Sequence, residues 1–110
     1  MIEVKKTKRF GRGLYASKNI RSSQLLFEDP VLILTATECR HNKHTIIERY
    51  QYDWNGGSAI ALGNGSLFNH SAEANVVFKQ DYRRNKMVFK STRPIKAGEQ
   101  LFIDYGYDPF

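Results

Sequence analysis

Short apolar runs separated by polar turns dominate the chain, and this pattern favours strands over helices. Ile2 and Val4 alternate with polar neighbours, and the runs 25–27 and 31–34 predict two brief strands divided by Pro30. No segment keeps apolar residues at helical spacing over three or four turns. The predicted fold class is therefore mainly β with little helix.

A hairpin and two similar β-units are predicted in addition. Apolar runs 76–78 and 87–90 flank a charged connection, which is the pattern of a β-hairpin. Segments 20–29 and 95–104 resemble each other, because each is a basic turn that leads into an apolar strand. This similarity indicates two related β-units rather than a repeat array, and residues 101–105 supply a last strand.

Three aromatic residues alternate in the middle of the chain. Tyr50, Tyr52 and Trp54 recur at every second position, so they share one face if the segment is a strand. A single helical turn beginning at Thr45 is the competing prediction.

Length and composition are those of one folded domain. The chain has 110 residues, of which 41% are hydrophobic and 25% charged, values typical of a globular protein. No apolar run approaches the roughly 18 residues that a membrane span needs, and no signal-peptide core follows the start. We therefore expect an intracellular protein, cytoplasmic or nuclear, without a membrane partner.

Charge and cysteine content narrow the chemistry. A formal net charge of +6 would attract acidic partners such as nucleic acid, although a solvated basic surface explains it equally well. The single cysteine excludes an internal disulfide and a zinc site built from several cysteines. Cys39, His41 and His44 lie close in sequence but lack a fourth local ligand, so we predict loop residues and no metal.

Two segments combine glycine or polar residues with apolar runs. Gly11 and Gly13 flank Arg12, which would let the main chain approach a ligand, although a tight turn between strands explains them as well. Asn69, His70 and Ser71 follow an apolar run and could bind a ligand or satisfy a buried turn. A hydrolase using Ser71 is disfavoured because the G-x-S-x-G motif is absent.

A third segment places two phenols near the end of the chain. Tyr105 and Tyr107 are two residues apart after the predicted last strand, so both hydroxyls can face one side. Taken alone, the segment favours ordinary core or surface aromatic residues whose hydroxyls contact water.

Taken together and in this order, the three segments resemble the SET-domain family of protein-lysine methyltransferases. The joint pattern is a Gly-x-Gly loop, an Asn-His-Ser segment and a Gly-Glu-x-Leu-x-x-x-Tyr strand, and it is similar to the minimal viral type. The resemblance implies a β-clip fold of several short sheets with a C-terminal pseudoknot. Residues 1–110 would form a single SET domain without a cysteine-rich post-SET segment.

The resemblance also implies a cofactor and a set of site residues. The cofactor is S-adenosyl-L-methionine, and its expected contacts are Arg12, Gly13, Leu14, Asn69, His70, Tyr105 and, near the adenine, Phe110. The expected catalytic residues are Tyr105, Tyr107 and Tyr50, which would wall a channel for the substrate lysine. A narrow aromatic channel disfavours the ammonium form by desolvation and leaves a neutral amine facing the methyl group.

The sequence departs from the family pattern at several positions. Ser66 stands where many members have arginine, and Ala72 and Ala74 replace cysteine and proline, whereas Asn75 is retained. Without a cysteine-rich segment, the tail or a second subunit would have to close the channel, so a homodimer is one expectation. Phe78 and Ile103 lie near positions at which a tyrosine can limit the number of methyl groups added.

The expected partner is a protein that presents a lysine, such as a histone tail or another basic protein. A basic tail would need a local acidic groove, for which the candidates are Glu38, Glu48, Asp53 and Asp108. The alternative function is a SET-like basic β module that binds nucleic acid or an acidic protein without catalysis.

Overall fold

Two β-sheets make up the protein in a computed structural model that describes residues 1–9 and 11–106. The strands are β1 (Ile2–Lys6), β2 (Arg12–Ala16), β3 (Leu25–Leu34), β4 (Gln51–Trp54), β5 (Gly57–Ala61), β6 (Asn69–His70), β7 (Val76–Asp81), β8 (Lys86–Ser91) and β9 (Gln100–Ile103). The helical elements are α1 (Ala36–His41) and two 3₁₀ helices, Ile46–Tyr50 and Asn64–Leu67. The mainly β prediction is confirmed. Nowhere in the described ranges is a helix long and apolar enough to span a membrane.

The five-stranded sheet corrects the prediction of two strands divided by Pro30. Its strand order is β4-β5-β3-β8-β7, and β3 runs unbroken through the proline. Pro30 lies where β3 changes partner, since its neighbours pair with β8 before it and with β5 after it. Its carbonyl accepts a bond from Leu62 N at 2.9 Å. A residue without an N–H is tolerated where one ladder ends and another begins.

The hairpin between 76–78 and 87–90 is confirmed, with β7 and β8 paired in antiparallel register from Val76 to Asp81.

Both predictions for the alternating aromatics hold in part. A 3₁₀ helix of five residues follows Thr45 and ends at Tyr50. Tyr52 and Trp54 then share a face of β4.

The two similar β-units contact each other through one antiparallel bridge between Ile20 and Ile95. Ile20 and Ile95 exchange reciprocal backbone hydrogen bonds of 2.8 and 2.9 Å. Ser23 and Gly98 occupy equivalent turns and both have positive φ, 58° and 90°. Segments 20–29 and 95–104 therefore form matching corners, as their sequence similarity predicts.

The core centres on a cluster of aromatic side chains from β3, β4, β7, β8 and the residue before β6. Phe89 is fully buried, and its ring lies 4.9 Å from Phe27 and 5.1 Å from Phe68. Tyr52 and Phe78 complete the cluster with edge contacts. Since Phe68 directly precedes β6, the core fixes the position of the Asn-His-Ser segment.

Candidate active site

The Asn-His-Ser segment lies beside the final strand. β6 runs parallel to β9, with Asn69 opposite Phe102 and His70 opposite Ile103. Ser71 N continues the pairing by donating to Ile103 O at 3.0 Å. Parallel pairing of strands about 30 residues apart in sequence needs a crossover, and it brings the second and third motifs together.

Asn75 holds β9 in this position. Its side chain is 2% exposed, its Nδ2 donates to Gln100 O at 2.9 Å, and its Oδ1 accepts from Phe102 N at 2.8 Å. One side-chain amide therefore adds two hydrogen bonds to the pairing of β9 with β2 and β6. The retained asparagine of the motif is a structural clamp.

The first motif reaches the same place through Gly13. Asn69 Nδ2 donates to Arg12 O at 3.0 Å. A Cβ on Gly13 would lie 2.8 Å from Asn69 Nδ2 and 2.6 Å from Gln100 Nε2. Gly13 thus leaves room for two protein amides, whereas the space around the Cα of Gly11 is open. The Leu14 side chain is fully buried in the core, so only its main chain could face a ligand.

His70 and Tyr105 are coupled through the main chain. Tyr105 N donates to His70 Nδ1 at 2.9 Å, and the two rings lie 5.0 Å apart. Because Nδ1 accepts, a neutral His70 ring carries its proton on Nε2. This arrangement fixes the imidazole orientation next to Asn69.

A cavity of about 260 Å³ opens beside this segment. Its volume lies below the roughly 300–1,000 Å³ of most small-molecule sites, so it suits one side chain rather than a whole molecule. Arg49, Asp53 and Gln80 contribute polar groups. Five aromatic side chains line it: Tyr50, Tyr52, Phe68, Phe78 and Tyr105.

Two phenols of the cavity have their protons engaged by main-chain carbonyls. Tyr105 Oη donates to Phe68 O at 2.6 Å, and Tyr52 Oη donates to Gly65 O at 2.7 Å. Burial, with smaller contributions from Tyr105 and Asp29, raises the pKa of Tyr52 far above its usual value. The Tyr52 phenol therefore stays protonated, so it cannot act as a base, and its oxygen can only accept a further hydrogen bond.

The structure describes some of the predicted site residues and not others. Tyr105 and Tyr50 line the cavity, although Tyr50 ends a 3₁₀ helix and is 37% exposed. Tyr107, Phe110 and Asp108 lie outside the described residues. Tyr52 was not predicted as a site residue, and its alternation with Tyr50 and Trp54 was the signal that could have identified it.

The buried carboxylate of Asp29 was also missed. It lies on β3 and is 6% exposed, and its Oδ2 accepts from Gly65 N at 2.7 Å. Burial raises the pKa of this carboxyl, although the Gly65 hydrogen bond opposes the shift. The signal in the sequence was the pair of acids Glu28 and Asp29 inside an otherwise apolar run, LLFEDPVLIL.

The alternative site chemistries find no support in the geometry. Cys39 and His41 belong to α1 rather than to a loop, and no metal-ligating cluster occurs in ranges 1–9 and 11–106. Ser71 Oγ accepts from Glu73 N at 3.1 Å, as in a local turn, and the Nδ1 of His70 is taken by Tyr105 N. A Ser-His pair for hydrolysis is therefore not formed.

The polar groups beside β6 suit a ligand that carries both donors and acceptors. In the part of the chain that the structure describes, Asn69 Oδ1 and His70 Nε2 have no hydrogen-bond partner. The pair offers one acceptor and one donor, a set that fits the amino, carboxylate and adenine groups of S-adenosylmethionine.

Comparisons with known proteins agree with this geometry. The SET domain family model matches residues 11–106. A histone-lysine N-methyltransferase of Schizosaccharomyces pombe, H3 lysine-37 specific, is 37% identical over 107 residues, which are 96% of this chain and 73% of that protein. A SET domain-containing protein of Acanthamoeba polyphaga mimivirus is 46% identical over 54 residues, which are 49% of this chain and 20% of the viral protein.

A solved structure supports the fold in particular. The crystal structure of a Plasmodium falciparum protein, assigned provisionally as a histone methyltransferase, superposes with a TM-score of 0.78 at 22% identity. The match covers 98% of this chain and 99% of the other. Together with the family match over nearly the whole sequence, it leads to one conclusion: the chain belongs to the SET-domain family of protein-lysine methyltransferases.

Proposed function

We propose that the protein transfers a methyl group from S-adenosylmethionine to a histone lysine that enters the aromatic cavity from the protein surface. The observation that carries this proposal is the pair of phenols, Tyr52 and Tyr105, whose protons are committed to carbonyls beside the Asn-His segment. Tyr105 connects the Asn-His segment to the cavity, because its N–H donates to His70 and its side chain lines the cavity.

The cofactor is assigned to the surface where β6, β9 and the Gly-x-Gly loop meet. Asn69 and His70 would hold it with Oδ1 and Nε2–H, and Arg12 and Gly13 would contribute main-chain groups. When bound, the cofactor supplies an electrophilic methyl group on a positively charged sulfur. The main chain of Leu14 and the backbone of Tyr105 complete the proposed contacts.

The phenols orient the substrate amine. Because each proton is given to a carbonyl, the phenol oxygens of Tyr52 and Tyr105 present lone pairs to the cavity and accept hydrogen bonds from the amine. The nitrogen lone pair is then free to point along the channel. Holding reactants in a near-attack geometry contributes up to roughly 7–11 kcal/mol to lowering a barrier.

The lysine must lose its proton before transfer. Aromatic walls desolvate the ammonium and lower its pKa, and a neighbouring positive charge acts in the same direction. Tyr52 stays protonated, so the proton leaves to water.

Phe78 packs edge-on to Tyr52 with ring centroids 5.0 Å apart and offers no hydroxyl to the amine, which favours the addition of more than one methyl group. Ile103 is 1% exposed in the core, so Phe78 alone of the two faces the cavity.

Histone H3 near lysine 37 is the substrate that the fission-yeast relative suggests. The tail is basic, so acidic groups at the cavity are needed to receive it. Asp53 lines the cavity, and Glu48 lies on the adjoining 3₁₀ helix, whereas Glu38 caps α1 through Thr35. A histone substrate would also place the protein in the nucleus or in a compartment where free histones occur.

A homodimer is proposed as the way the cavity is completed. Leu32 and Leu62 are 53% and 55% exposed. Leu32 lies on β3, and Leu62 directly follows β5, the strand that pairs with this part of β3. A self-association constant measured by sedimentation, together with loss of activity on dilution, would support this. A fully active monomer would refute it.

The test of the cofactor assignment is calorimetry with S-adenosylmethionine and S-adenosylhomocysteine. Wild-type protein is expected to bind both, and Asn69→Ala to lose at least tenfold in affinity. Asn64→Ala is the matched control, because Asn64 lies five residues away in a 3₁₀ helix and makes no side-chain bond to β6 or β9 in the described part of the chain. Absence of binding to wild type would favour the alternative binding module.

The test of the activity is transfer of labelled methyl groups to an H3 peptide centred on lysine 37. The same peptide with arginine in place of that lysine is the control. Label that appears on both peptides equally would exclude this lysine as the acceptor.

A further inference from the structure

The carboxylate of Asp29 is enclosed by two glycines of the segment that precedes β6. Its Oδ2 accepts the Gly65 N–H at 2.7 Å. A Cβ on Gly65 would lie 2.6 Å from that oxygen, and a Cβ on Gly63 would collide with Oδ1. Asp29 therefore leaves no room for a side chain at position 63, and Asp29 and the Phe89 ring together leave none at position 65.

Gly65 connects this carboxylate to the substrate cavity. Its N–H bonds Asp29, its carbonyl accepts the Tyr52 hydroxyl at 2.7 Å, and the residue lines the cavity itself. The Asp29 carboxylate thus helps to fix the orientation of Gly65. Gly65 in turn holds the hydroxyl of Tyr52.

The negative charge of Asp29 has no cationic partner among residues 1–9 and 11–106. Buried carboxylates are normally paired, because an isolated one is costly to desolvate. Met87, opposite Asp29 on β8, and Phe89 are apolar. The charged and titratable groups that line the cavity are Arg49, Tyr50, Tyr52, Asp53 and Tyr105, of which Arg49, Tyr50 and Asp53 are exposed.

We propose that Asp29 is a positioning residue for the methyl-accepting lysine: it fixes Gly65 and Tyr52, and its buried charge favours entry of the lysine as an ammonium ion. This inference rests on the proposed function, since it assumes that the cavity receives the substrate lysine. Unlike charges attract more strongly in a partly desolvated site than in water, and Asp29 is bonded directly to a residue that lines the cavity. Asp29 also acts electrostatically on Tyr52, because it contributes to the raised pKa of the Tyr52 phenol.

The experiment compares Asp29→Asn with Glu28→Gln. Asparagine keeps the volume and an acceptor for Gly65 N but removes the charge. Glu28 is the adjacent residue of β3, and its carboxylate instead pairs with Arg84 and Lys86 at the surface. Each variant loses one negative charge from the same strand, so they differ only in where that charge was.

Binding is measured by calorimetry with the H3 peptide and with the same peptide carrying norleucine, which has the four carbons of lysine and no amine. S-adenosylhomocysteine is present throughout. In Asp29→Asn the preference for lysine over norleucine is expected to fall about fivefold relative to wild type. In Glu28→Gln it is expected to stay unchanged.

An unchanged preference in Asp29→Asn overturns the proposal, and so does an equal loss of affinity for both peptides, which would indicate a purely structural role. Failure of the proposed function is separately visible, because wild type would then bind neither S-adenosylhomocysteine nor peptide. Thermal unfolding of each variant verifies that it is folded at the temperature of the titration.

Discussion

Individual side chains at the cavity act mainly through the main-chain groups that they hold. Tyr105 makes two such bonds, donating its hydroxyl to Phe68 O and its main-chain N–H to His70 Nδ1. Tyr52 uses Gly65 O in the same way. A phenol fixed by a carbonyl is a rigid acceptor, so we expect its hydroxyl to matter more for turnover than for folding.

Replacing Tyr105 by phenylalanine is expected to lower turnover about a hundredfold, because the amine loses an orienting acceptor. Cofactor affinity should change less than threefold, and the free energy of unfolding should fall by about 1 kcal/mol for the lost hydrogen bond. Methyl-transfer kinetics and calorimetry measure the two effects. Tyr82→Phe, a change at a 45% exposed tyrosine away from the cavity, is the control. Near-wild-type turnover of Tyr105→Phe would refute this role.

The difference in stability between wild type and Asp29→Asn is expected to depend on pH in a defined direction. Burial raises the pKa of Asp29 in the folded state above the unfolded value near 3.8. The stability that this tighter protonation gives is fully present below the unfolded pKa and is lost as the pH rises through the folded pKa. Loss of the Asp29 proton as the pH rises is therefore expected to destabilise the fold.

Melting temperatures of wild type and Asp29→Asn at pH 4, 5.5 and 7 test this expectation. The variant should melt higher than wild type at pH 7, and the difference should shrink on acidification. Glu28→Gln should show no such trend. A variant less stable than wild type at every pH would mean that the carboxylate is stabilising. A carboxylate retained at a cost in stability is typical of functional positions.

At the scale of elements, the pairing of β6 with β9 assembles the site. β6 has only two residues, too few to hold a strand by itself, and Asn75 supplies the remaining bonds to β9. The segment from Gly63 to Asn75 thus both lines the cavity and anchors the final strand.

Asn75→Ala is expected to lower the free energy of unfolding by about 2 kcal/mol, because it leaves Gln100 O and Phe102 N without their partner. Chemical denaturation measures the loss. The loss of activity should exceed what the unfolded fraction explains, since β9 leads directly to Tyr105. Asn64→Ala should leave both properties unchanged. A similar stability in the two variants would contradict the clamp role of Asn75.

At the scale of the molecule, net charge and site chemistry predict different responses to salt. The chain carries +6, which supports nonspecific attraction to phosphates, whereas the assigned cofactor contacts are hydrogen bonds at a half-buried surface. Cofactor affinity should therefore change less than twofold between about 50 and 200 mM salt, while any binding to duplex DNA should fall steeply over that range. Fluorescence titrations of both ligands provide the measurement. A cofactor affinity that falls as steeply as DNA binding would count against the assigned site.

Local sequence predicted several elements well because their signals are local. The β7–β8 hairpin follows from two apolar runs around a charged turn, and the paired corners follow from the similarity of 20–29 and 95–104. Pro30 was misleading, because the cost of a missing N–H depends on which strand lies beside it. That neighbour is set by the rest of the sheet.

The sequence by itself determined the fold class, the family and the presence of Asn69, His70 and Tyr105, since these depend on residue types in a fixed order. Only the tertiary structure decided what those residues contact. Asn69 bonds Arg12, 57 positions earlier, and Asp29 meets Gly65, 36 positions later. Hydrogen bonds and burial act through space, so the buried carboxylate and the role of Tyr52 became visible only once β3, β4 and the segment before β6 were packed together.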